Sequence, residues 1–154
     1  MTEPQVLHLY ISSGHNFFGH TGRPPSGNET VEVSSIRCVA GKGIEGDRFF
    51  SYKPNYKGQI TFFAAEIYES LARQLRVNDK APSVFRRNVI TRGVDLNELI
   101  GAQFRIQDVL FEGTEECRPC YWMNEAFHPE AEQMLRGHGG LRARILTDGP
   151  ISVQ

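Results

Sequence analysis

Two cysteines three positions apart are the residues of this chain with the clearest potential for chemistry. Cys117 and Cys120 enclose Arg118 and Pro119, and the single tryptophan, Trp122, follows two residues later. Thiolates at this spacing can ligate a soft metal, cycle to a disulfide or carry a sulfur atom. Proline disfavours the helical conformation at the residue before it, so we expect both thiols on a bent loop. The alternative is a pair of buried, inert cysteines.

A second candidate site lies in residues 84–91, where polar residues interrupt a run of apolar ones. Arg86, Arg87 and Asn88 occupy its centre. Guanidinium groups donate paired hydrogen bonds, so this segment is suited to a phosphate or to the polar edge of a heterocycle. A strand edge that exposes its charges to solvent explains the segment equally well.

Two glycine-rich segments come earlier in the chain. Residues 41–48 hold three glycines within six positions, which lets backbone amides approach a ligand, although the spacing fits neither a Walker loop nor a dinucleotide-binding fingerprint. A tight turn in which Asp47 and Arg48 pair is the alternative. Residues 12–29 indicate a long exposed loop, whose His15 and His20 either contact a ligand or are simply solvated.

The composition restricts the class of protein. A chain of 154 residues is long enough for one domain, residues 1–154, with a core that needs no disulfide or structural metal. Its 17 basic and 18 acidic residues nearly cancel, so no overall field attracts nucleic acid or an anionic membrane. Three cysteines, no signal-peptide pattern and no apolar run of membrane-spanning length lead us to expect a soluble, cytoplasmic protein.

The elements that must position these groups are mostly short strands. Alternation and β-forming residues predict strands at 6–11, 30–40, 59–63, 84–91, 104–106, 109–111 and 141–146. Helical spacing of apolar residues predicts one helix at 64–75 and a shorter one within 123–136. We expect Cys38 to pack inside. This pattern predicts a mainly β domain with a few helices, either a barrel or a strongly bent sheet.

Several separated segments together resemble MOSC domains. They are GIEGDR at 43–48, FRRNVIT at 85–91, LIG at 99–101, CRPC at 117–120 and GLRARIL at 140–146. The resemblance covers residues 31–153 and leaves 1–30 as a strand and a loop. MOSC domains are similar to the C-terminal part of the molybdenum cofactor sulfurase and to the core of the mitochondrial amidoxime-reducing proteins. The resemblance implies a bent β-barrel that binds molybdenum cofactor and has a functional cysteine.

The resemblance also implies roles for the first two groups of residues. Cys120 would be the molybdenum ligand or a persulfide carrier, with Cys117 as its neighbour and support. Arg86 and Asn88 match the Arg-x-Asn segment with which the family contacts the cofactor. The residue between them, Arg87, is proline in the amidoxime-reducing branch and adds charge here.

Further positions follow from the same resemblance. Lys42, Arg48 and Arg142 lie in or beside the shared segments and would complete a cationic wall for the pterin phosphate. The pyridoxal phosphate domain of the full sulfurase is not in this sequence, so pyridoxal phosphate is not expected, and sulfur would come from another protein such as a cysteine desulfurase. The N-terminal β-barrel region of the amidoxime reducers is also not present.

The sequence leaves three functions open. The leading hypothesis is a protein that binds molybdenum cofactor through Cys120, with Arg86, Arg87 and Asn88 holding the pterin. If it is an enzyme, it reduces N-hydroxylated compounds with electrons from a partner protein. The second is a non-enzymatic carrier of sulfur as a Cys120 persulfide. The third is a thiol or zinc module, in which Cys117 and Cys120 form a disulfide or bind zinc with His128 and His138 as the nearest further ligands. The pair lacks the βαβ context of thioredoxin-like proteins.

Overall fold

A computed structural model of the chain describes residues 3–13 and 30–154. In these residues the strands are β1 Gln5–Ser12, β2 Thr30–Val33, β3 Ser35–Val39, β4 Gly43–Ile44, β5 Ile60–Ala64, β6 Val89–Arg92, β7 Gln103–Ile106, β8 Val109–Glu116, β9 Leu141–Ile145 and β10 Gly149–Ser152. The helices are α1 Ala65–Leu75, α2 Trp122–Ala126 and α3 Ala131–Leu135, with short 3-10 turns at Pro82–Phe85 and Leu96–Leu99. His15 and His20, the two histidines of the predicted loop 12–29, lie outside the described residues.

The strands form two sheets. The larger has the order β2-β1-β6-β5-β9-β8-β7, and the smaller has the order β10-β3-β4. Strands β5 and β6 are parallel, while the other strand pairs are antiparallel. Within the described residues the sheets do not close into a barrel, since β2 and β7 remain as edges of the larger sheet. The mainly β class is therefore confirmed, and the predicted barrel is not.

Strand β5 shows how the larger sheet is covered on both faces. All five of its residues are buried, and successive side chains of a strand point to opposite faces. Phe62 belongs to one apolar cluster, which includes Ile36 and Ile151 of the smaller sheet. Phe63 belongs to a second cluster with Leu71 of α1 and Leu135 of α3. The larger sheet is thus packed between the smaller sheet and the helices.

Two predicted elements are divided in the structure. The predicted strand 30–40 is broken at Ser34, so that β2 pairs with β1 and β3 pairs with β10 in the other sheet. The predicted helix within 123–136 is two short helices on either side of Pro129, because proline cannot donate the backbone hydrogen bond that would continue the first one. The expected burial of Cys38 is confirmed, since its side chain is fully enclosed.

The predicted strand 84–91 begins later than the sequence suggests. Residues Pro82–Phe85 form a 3-10 turn, and Arg86 ends it with a left-handed backbone, φ 62°. Strand β6 starts only at Val89. The polar residues 86–88 therefore form a buried connection and not an exposed strand edge.

Among the described residues, none of the helices has the length and apolar character needed to span a bilayer.

Candidate functional site

The register of the larger sheet brings the candidate residues to one place. Phe62 pairs with Val89 on one side and with Leu141 on the other, and Leu141 pairs with Glu116 at the end of β8. These four residues form a row across the sheet. The Arg86–Asn88 connection precedes the row at one side, and the cysteine loop that starts at residue 117 follows it at the other.

A cleft of about 240 Å³ opens beside this row. It is lined by residues from six separate segments, namely Arg48, Phe49, Tyr56, Gly58, Thr61, Phe85, Arg86, Arg87, Asn88, Cys117, Arg118, Cys120, Trp122 and Arg142. We call it the cysteine cleft. The structure thus brings together seven of the eight residues that the sequence nominated. The eighth, Lys42, is exposed and does not line the cleft.

The two cysteines of the cleft differ in exposure. Cys117 is buried and Cys120 is exposed, and both belong to the irregular loop that Pro119 predicted. The backbone N–H of Cys117 donates to the carbonyl of Gly140 at 2.8 Å. Burial lowers the pKa of Arg142, but attraction to the Cys117 sulfur and a hydrogen bond that the guanidinium donates to it outweigh burial and raise that pKa above its usual value. Each cysteine therefore occupies a different environment within one cleft.

Positive charge is concentrated on the floor of the cleft. Burial, together with the nearby charge of Arg48, lowers the pKa of Arg86 to about 10, although Cys120 and Asp47 act in the opposite direction. The pKa of Arg48 is also lowered, mainly by burial, while Asp47 raises it. Two guanidinium groups that are largely buried close to one another favour an anionic ligand, because an anion relieves their mutual repulsion.

Aromatic rings pack against these cations. The guanidinium carbon of Arg86 lies 5.7 Å from the ring centroid of Trp122, and that of Arg48 lies 5.0 Å from the ring centroid of Phe49. Both distances fall in the range of a cation–π contact. The rings restrict the guanidinium groups and add apolar surface to the lining of the cleft.

The side chain of Arg87 ties the cysteine loop to the rest of the domain. Its Nε donates to the carbonyl of Gly139 at 3.0 Å, and its Nη1 donates to the carbonyl of Phe85 at 2.9 Å. Its Nη2 donates to the carbonyls of Cys117 at 3.0 Å and Arg118 at 3.4 Å. Arg87 is buried, and four of its N–H groups are directed at backbone. These contacts give it the role of holding the loop in position.

Asn88 is a second buried residue whose hydrogen bonds join separate segments. Its Nδ2 donates to the carbonyl of Tyr10 at 3.1 Å and to Oδ1 of Asp47 at 3.4 Å. Its Oδ1 accepts from the backbone N–H of Thr61 at 3.0 Å and from the Thr61 hydroxyl at 3.1 Å. A side-chain amide offers two donors and two acceptor sites, and all are used here. Asn88 therefore joins β1, β5 and the turn at Asp47 beneath the cleft.

The model of the MOSC domain matches residues 41–154 of the chain. The chain belongs to the MOSC domain family. The match begins in the glycine-rich turn and includes the Arg86–Asn88 connection, the cysteine loop and β9, which are the segments that build the cleft. The resemblance inferred from the sequence is confirmed.

Solved structures show the same fold. The YuaD protein from Bacillus subtilis superposes with a TM-score of 0.75 at 17% identity, covering 97% of this chain and 91% of YuaD. YiiM from Geobacillus stearothermophilus gives a TM-score of 0.69 at 15% identity over 97% of this chain and 71% of YiiM. YiiM from Escherichia coli gives 0.62 at 20% identity over 97% and 66%, respectively. No curated protein sequence matches this MOSC domain.

Some residues of the cleft were not singled out from the sequence. Phe49 and Tyr56 lie between β4 and β5, and their rings lie 5.5 Å apart beside the charged floor. Gly139 lies in the turn between α3 and β9. Its N–H donates to Oε2 of Glu116 at 3.1 Å, and its carbonyl accepts from Arg87. These contacts join segments that are far apart in sequence, and no local pattern signals them.

The zinc alternative gains no support from the geometry of this MOSC domain. In residues 3–13 and 30–154, no three His, Cys, Asp or Glu side chains converge as a metal site would require. The Nδ1 atom of His128 accepts a hydrogen bond from the N–H of Glu130, and His138 lines a different cavity. The two histidines nearest in sequence therefore do not complete a tetrahedral site with Cys117 and Cys120.

A matched pair of substitutions tests the buried hydrogen bonds of Asn88 beneath the cleft. Thr61→Val removes a hydroxyl that both accepts from and donates to Asn88, so we expect it to lower the free energy of unfolding by about 1–2 kcal/mol. Thr91 is also fully buried, but its hydroxyl has no partner among the described residues. Thr91→Val is therefore expected to leave stability unchanged or to raise it by about 1 kcal/mol.

Urea unfolding of both variants measures these changes. The same substitution on neighbouring parallel strands controls for the β propensity and shape of valine. Equal destabilisation by the two variants would show that the hydrogen bonds to Asn88 do not carry the difference.

Alkylation should distinguish Cys120 from Cys38 in the folded protein. Burial raises the pKa of Cys38 to about 12, so this enclosed thiol is neutral as well as inaccessible at neutral pH. Cys120 is exposed, and we expect it to react with iodoacetamide at least about a hundredfold faster than Cys38, which reacts only after unfolding. Peptide mass spectrometry at successive times measures both rates. Comparable rates would contradict the packing described here.

Proposed function

We propose that this MOSC domain binds molybdenum cofactor in the cysteine cleft, with Cys120 as the protein ligand of molybdenum. The observation that supports the proposal is the meeting of an exposed Cys120 thiol and a floor of arginines in one cleft. Thiolate is a suitable ligand for a soft metal centre. Guanidinium groups are suitable donors for the phosphate and the heterocyclic edge of the pterin.

Some residues of the cleft would contact the ligand, and others would orient those residues. Arg48, Arg86 and Arg142 form the cationic surface that faces an anionic ligand, while the rings of Phe49 and Trp122 limit the movement of two of these guanidinium groups. Because they are held in place before binding, little side-chain freedom is lost when the ligand arrives. Lys42 has no part in this arrangement, since it lies outside the cleft.

Arg87 and Asn88 support the site without gripping the ligand. The sequence suggested that they bind the pterin directly together with Arg86. Four N–H groups of Arg87 and all polar positions of the Asn88 amide bind protein atoms. We therefore assign them the role of holding the cysteine loop and the cleft floor in position.

As its reaction we propose the reduction of N-hydroxylated compounds, with electrons from a partner protein. When bound, the cofactor would supply two-electron chemistry at molybdenum. Two electrons from the partner protein and two protons from solvent would break the N–O bond, leaving N–H on the compound and releasing its oxygen as water. The exposure of Cys120 leaves its side of the cleft open to solvent, so a substrate can approach the ligand position without a prior opening of the fold.

A metal and pterin assay tests the proposal. The wild-type protein is purified from cells that make the cofactor, its metals are measured by elemental analysis, and the released pterin is measured by fluorescence after oxidation. We expect molybdenum and pterin in equal molar amounts. Zinc in place of molybdenum, or pterin without metal, would contradict the proposal.

The second candidate, a sulfur carrier, rests on the same exposed thiol. A persulfide at Cys120 would lie next to Arg86, whose positive charge favours an anionic sulfur. Such a carrier would take its sulfur from a donor protein such as a cysteine desulfurase. Sulfane sulfur that is released by cyanide from a metal-free protein would favour this function over cofactor binding.

A further inference from the structure

A second and larger cavity, of about 370 Å³, lies outside the cysteine cleft. The two cavities share no lining residue. Its apolar wall is formed by Ala64, Ile67, Val94 and Leu96, which come from β5, α1, the loop after β6 and the second 3-10 turn. We call it the second cleft. An apolar cavity of this size is typical of a site for a small organic molecule.

The rim of the second cleft carries two exposed carboxylates, Glu66 and Asp95. One oxygen of Glu66 accepts from the N–H of Gly93 at 2.8 Å, and one oxygen of Asp95 accepts from the N–H of Asn97 at 3.0 Å. Within residues 3–13 and 30–154, the other oxygen of each carboxylate has no hydrogen-bond partner. These two oxygens can each accept a hydrogen bond from a ligand.

The guanidinium group of Arg92, which lies close to this rim, is engaged elsewhere. Arg92 is close enough to Glu66 to feel its charge, but both of its terminal nitrogens donate to the carboxylate of Glu69, at 3.2 and 2.5 Å. Arg92 does not line the second cleft. The lining therefore carries two carboxylates beside an apolar wall, and His138 is its other titratable side chain.

We propose that the second cleft binds a small molecule with an apolar body and a protonated amine. The body would pack against the apolar wall, and the ammonium group would donate to the carboxylates of Glu66 and Asp95. A neutral molecule of the same shape would gain only the burial of its body, and an anion would be repelled by the rim. This inference is independent of the function proposed for the cysteine cleft.

Gly140 links the second cleft to the cysteine loop. It lines the second cleft, and its carbonyl accepts from the N–H of Cys117 at the edge of the cysteine cleft. A Cβ atom at this position would lie 2.3 Å from the carbonyl oxygen of Phe62 and 3.4 Å from Nε of Arg87. Gly140 is thus tightly packed beside the cysteine loop, and its backbone N–H would report a ligand in the second cleft.

Phenethylamine is a suitable probe, with 2-phenylethanol and 3-phenylpropionate as its neutral and anionic counterparts. The three are titrated at neutral pH into the full-length ¹⁵N-labelled protein while amide shifts are followed. We expect phenethylamine to shift the amides of Val94, Leu96 and Gly140 and to bind about fivefold more tightly than the alcohol, with the acid weakest. Equal binding of amine and alcohol, or shifts confined to the cysteine cleft, would overturn the inference.

Charge-removing variants locate the ammonium group. Glu66→Gln and Asp95→Asn keep an oxygen that accepts the backbone hydrogen bond, so both are expected to remain folded while each weakens phenethylamine binding about threefold. Glu98→Gln is the matched control, because Glu98 is exposed nearby and does not line the cavity. Unchanged binding in both test variants, an equal loss in the control, or no binding of phenethylamine to the wild type would overturn the inference.

Discussion

After purification from cells that make the cofactor, the Cys120→Ala protein is expected to contain at most about one tenth of the molybdenum of the wild type. The substitution removes the exposed thiol of the cysteine cleft and leaves the arginine floor intact. The pterin phosphate can still bind to that floor, but no soft ligand remains for the metal. Elemental analysis of both proteins, prepared side by side, measures the difference.

The two other cysteines provide the controls for Cys120→Ala. Cys38 is fully buried and does not line the cleft, so Cys38→Ala is expected to keep the molybdenum content of the wild type. Cys117→Ala is expected to give an intermediate content, because it loses the interaction with Arg142 but not the metal ligand. If Cys117→Ala lost the metal while Cys120→Ala kept it, the ligand would be the buried thiol and our assignment would be wrong.

The arginine floor has a thermodynamic consequence for the unliganded protein. In the folded state burial, and after it the charge of Arg48, lower the pKa of Arg86 to about 10. A base whose pKa falls on folding binds its proton less tightly in the folded state, so its charge destabilises the fold at every pH below about 10. That cost disappears only as the pH rises toward the unfolded value. An anion bound in the cleft offsets the same cost, which couples ligand binding to stability.

Local patterns in the sequence were sufficient for several elements. Helix α1 follows the spacing of its apolar residues, Pro119 correctly predicted an irregular cysteine loop, and Cys38 lies in the core as its apolar neighbours suggested. In each case the determinant is within a few residues of the position predicted. The division of the predicted strand 30–40 at Ser34 was not predictable in this way, because β2 and β3 differ only in the distant strands with which they pair.

The candidate site shows the same limit more sharply. The sequence nominated Arg86, Arg87 and Asn88 together, since charge and amide type alone do not distinguish them. Their roles separate only through partners that are distant in the chain: Arg87 bonds to carbonyls 30 and 52 residues away, and Asn88 bonds to a carbonyl 78 residues away. Lys42 resembled Arg48 as a cationic neighbour of the glycine-rich turn, yet only Arg48 lines the cleft.

The second large effect is expected for Arg87→Met. Methionine fills part of the same volume but donates no hydrogen bond, so the carbonyls of Phe85, Cys117 and Gly139 lose a buried donor. We expect the free energy of unfolding to fall by about 2–4 kcal/mol. We also expect the cysteine loop to detach from the Gly139 turn, which would expose Cys117 and reduce cofactor retention at least about tenfold.

Arg118→Met separates the loss of positioning from the loss of a charge. Arg118 is exposed on the same loop, so its substitution removes one positive charge near the cleft and no donor to Cys117 or Gly139. Three measurements compare the variants: urea unfolding, alkylation of Cys117 in the folded protein, and molybdenum content. A positioning role predicts that all three change in Arg87→Met and stay near wild type in Arg118→Met. Arg87→Met could instead lose stability while Cys117 stays protected and molybdenum stays bound. Arg87 would then support the fold without positioning the loop, because a loop held by its remaining contacts would present Cys120 as before.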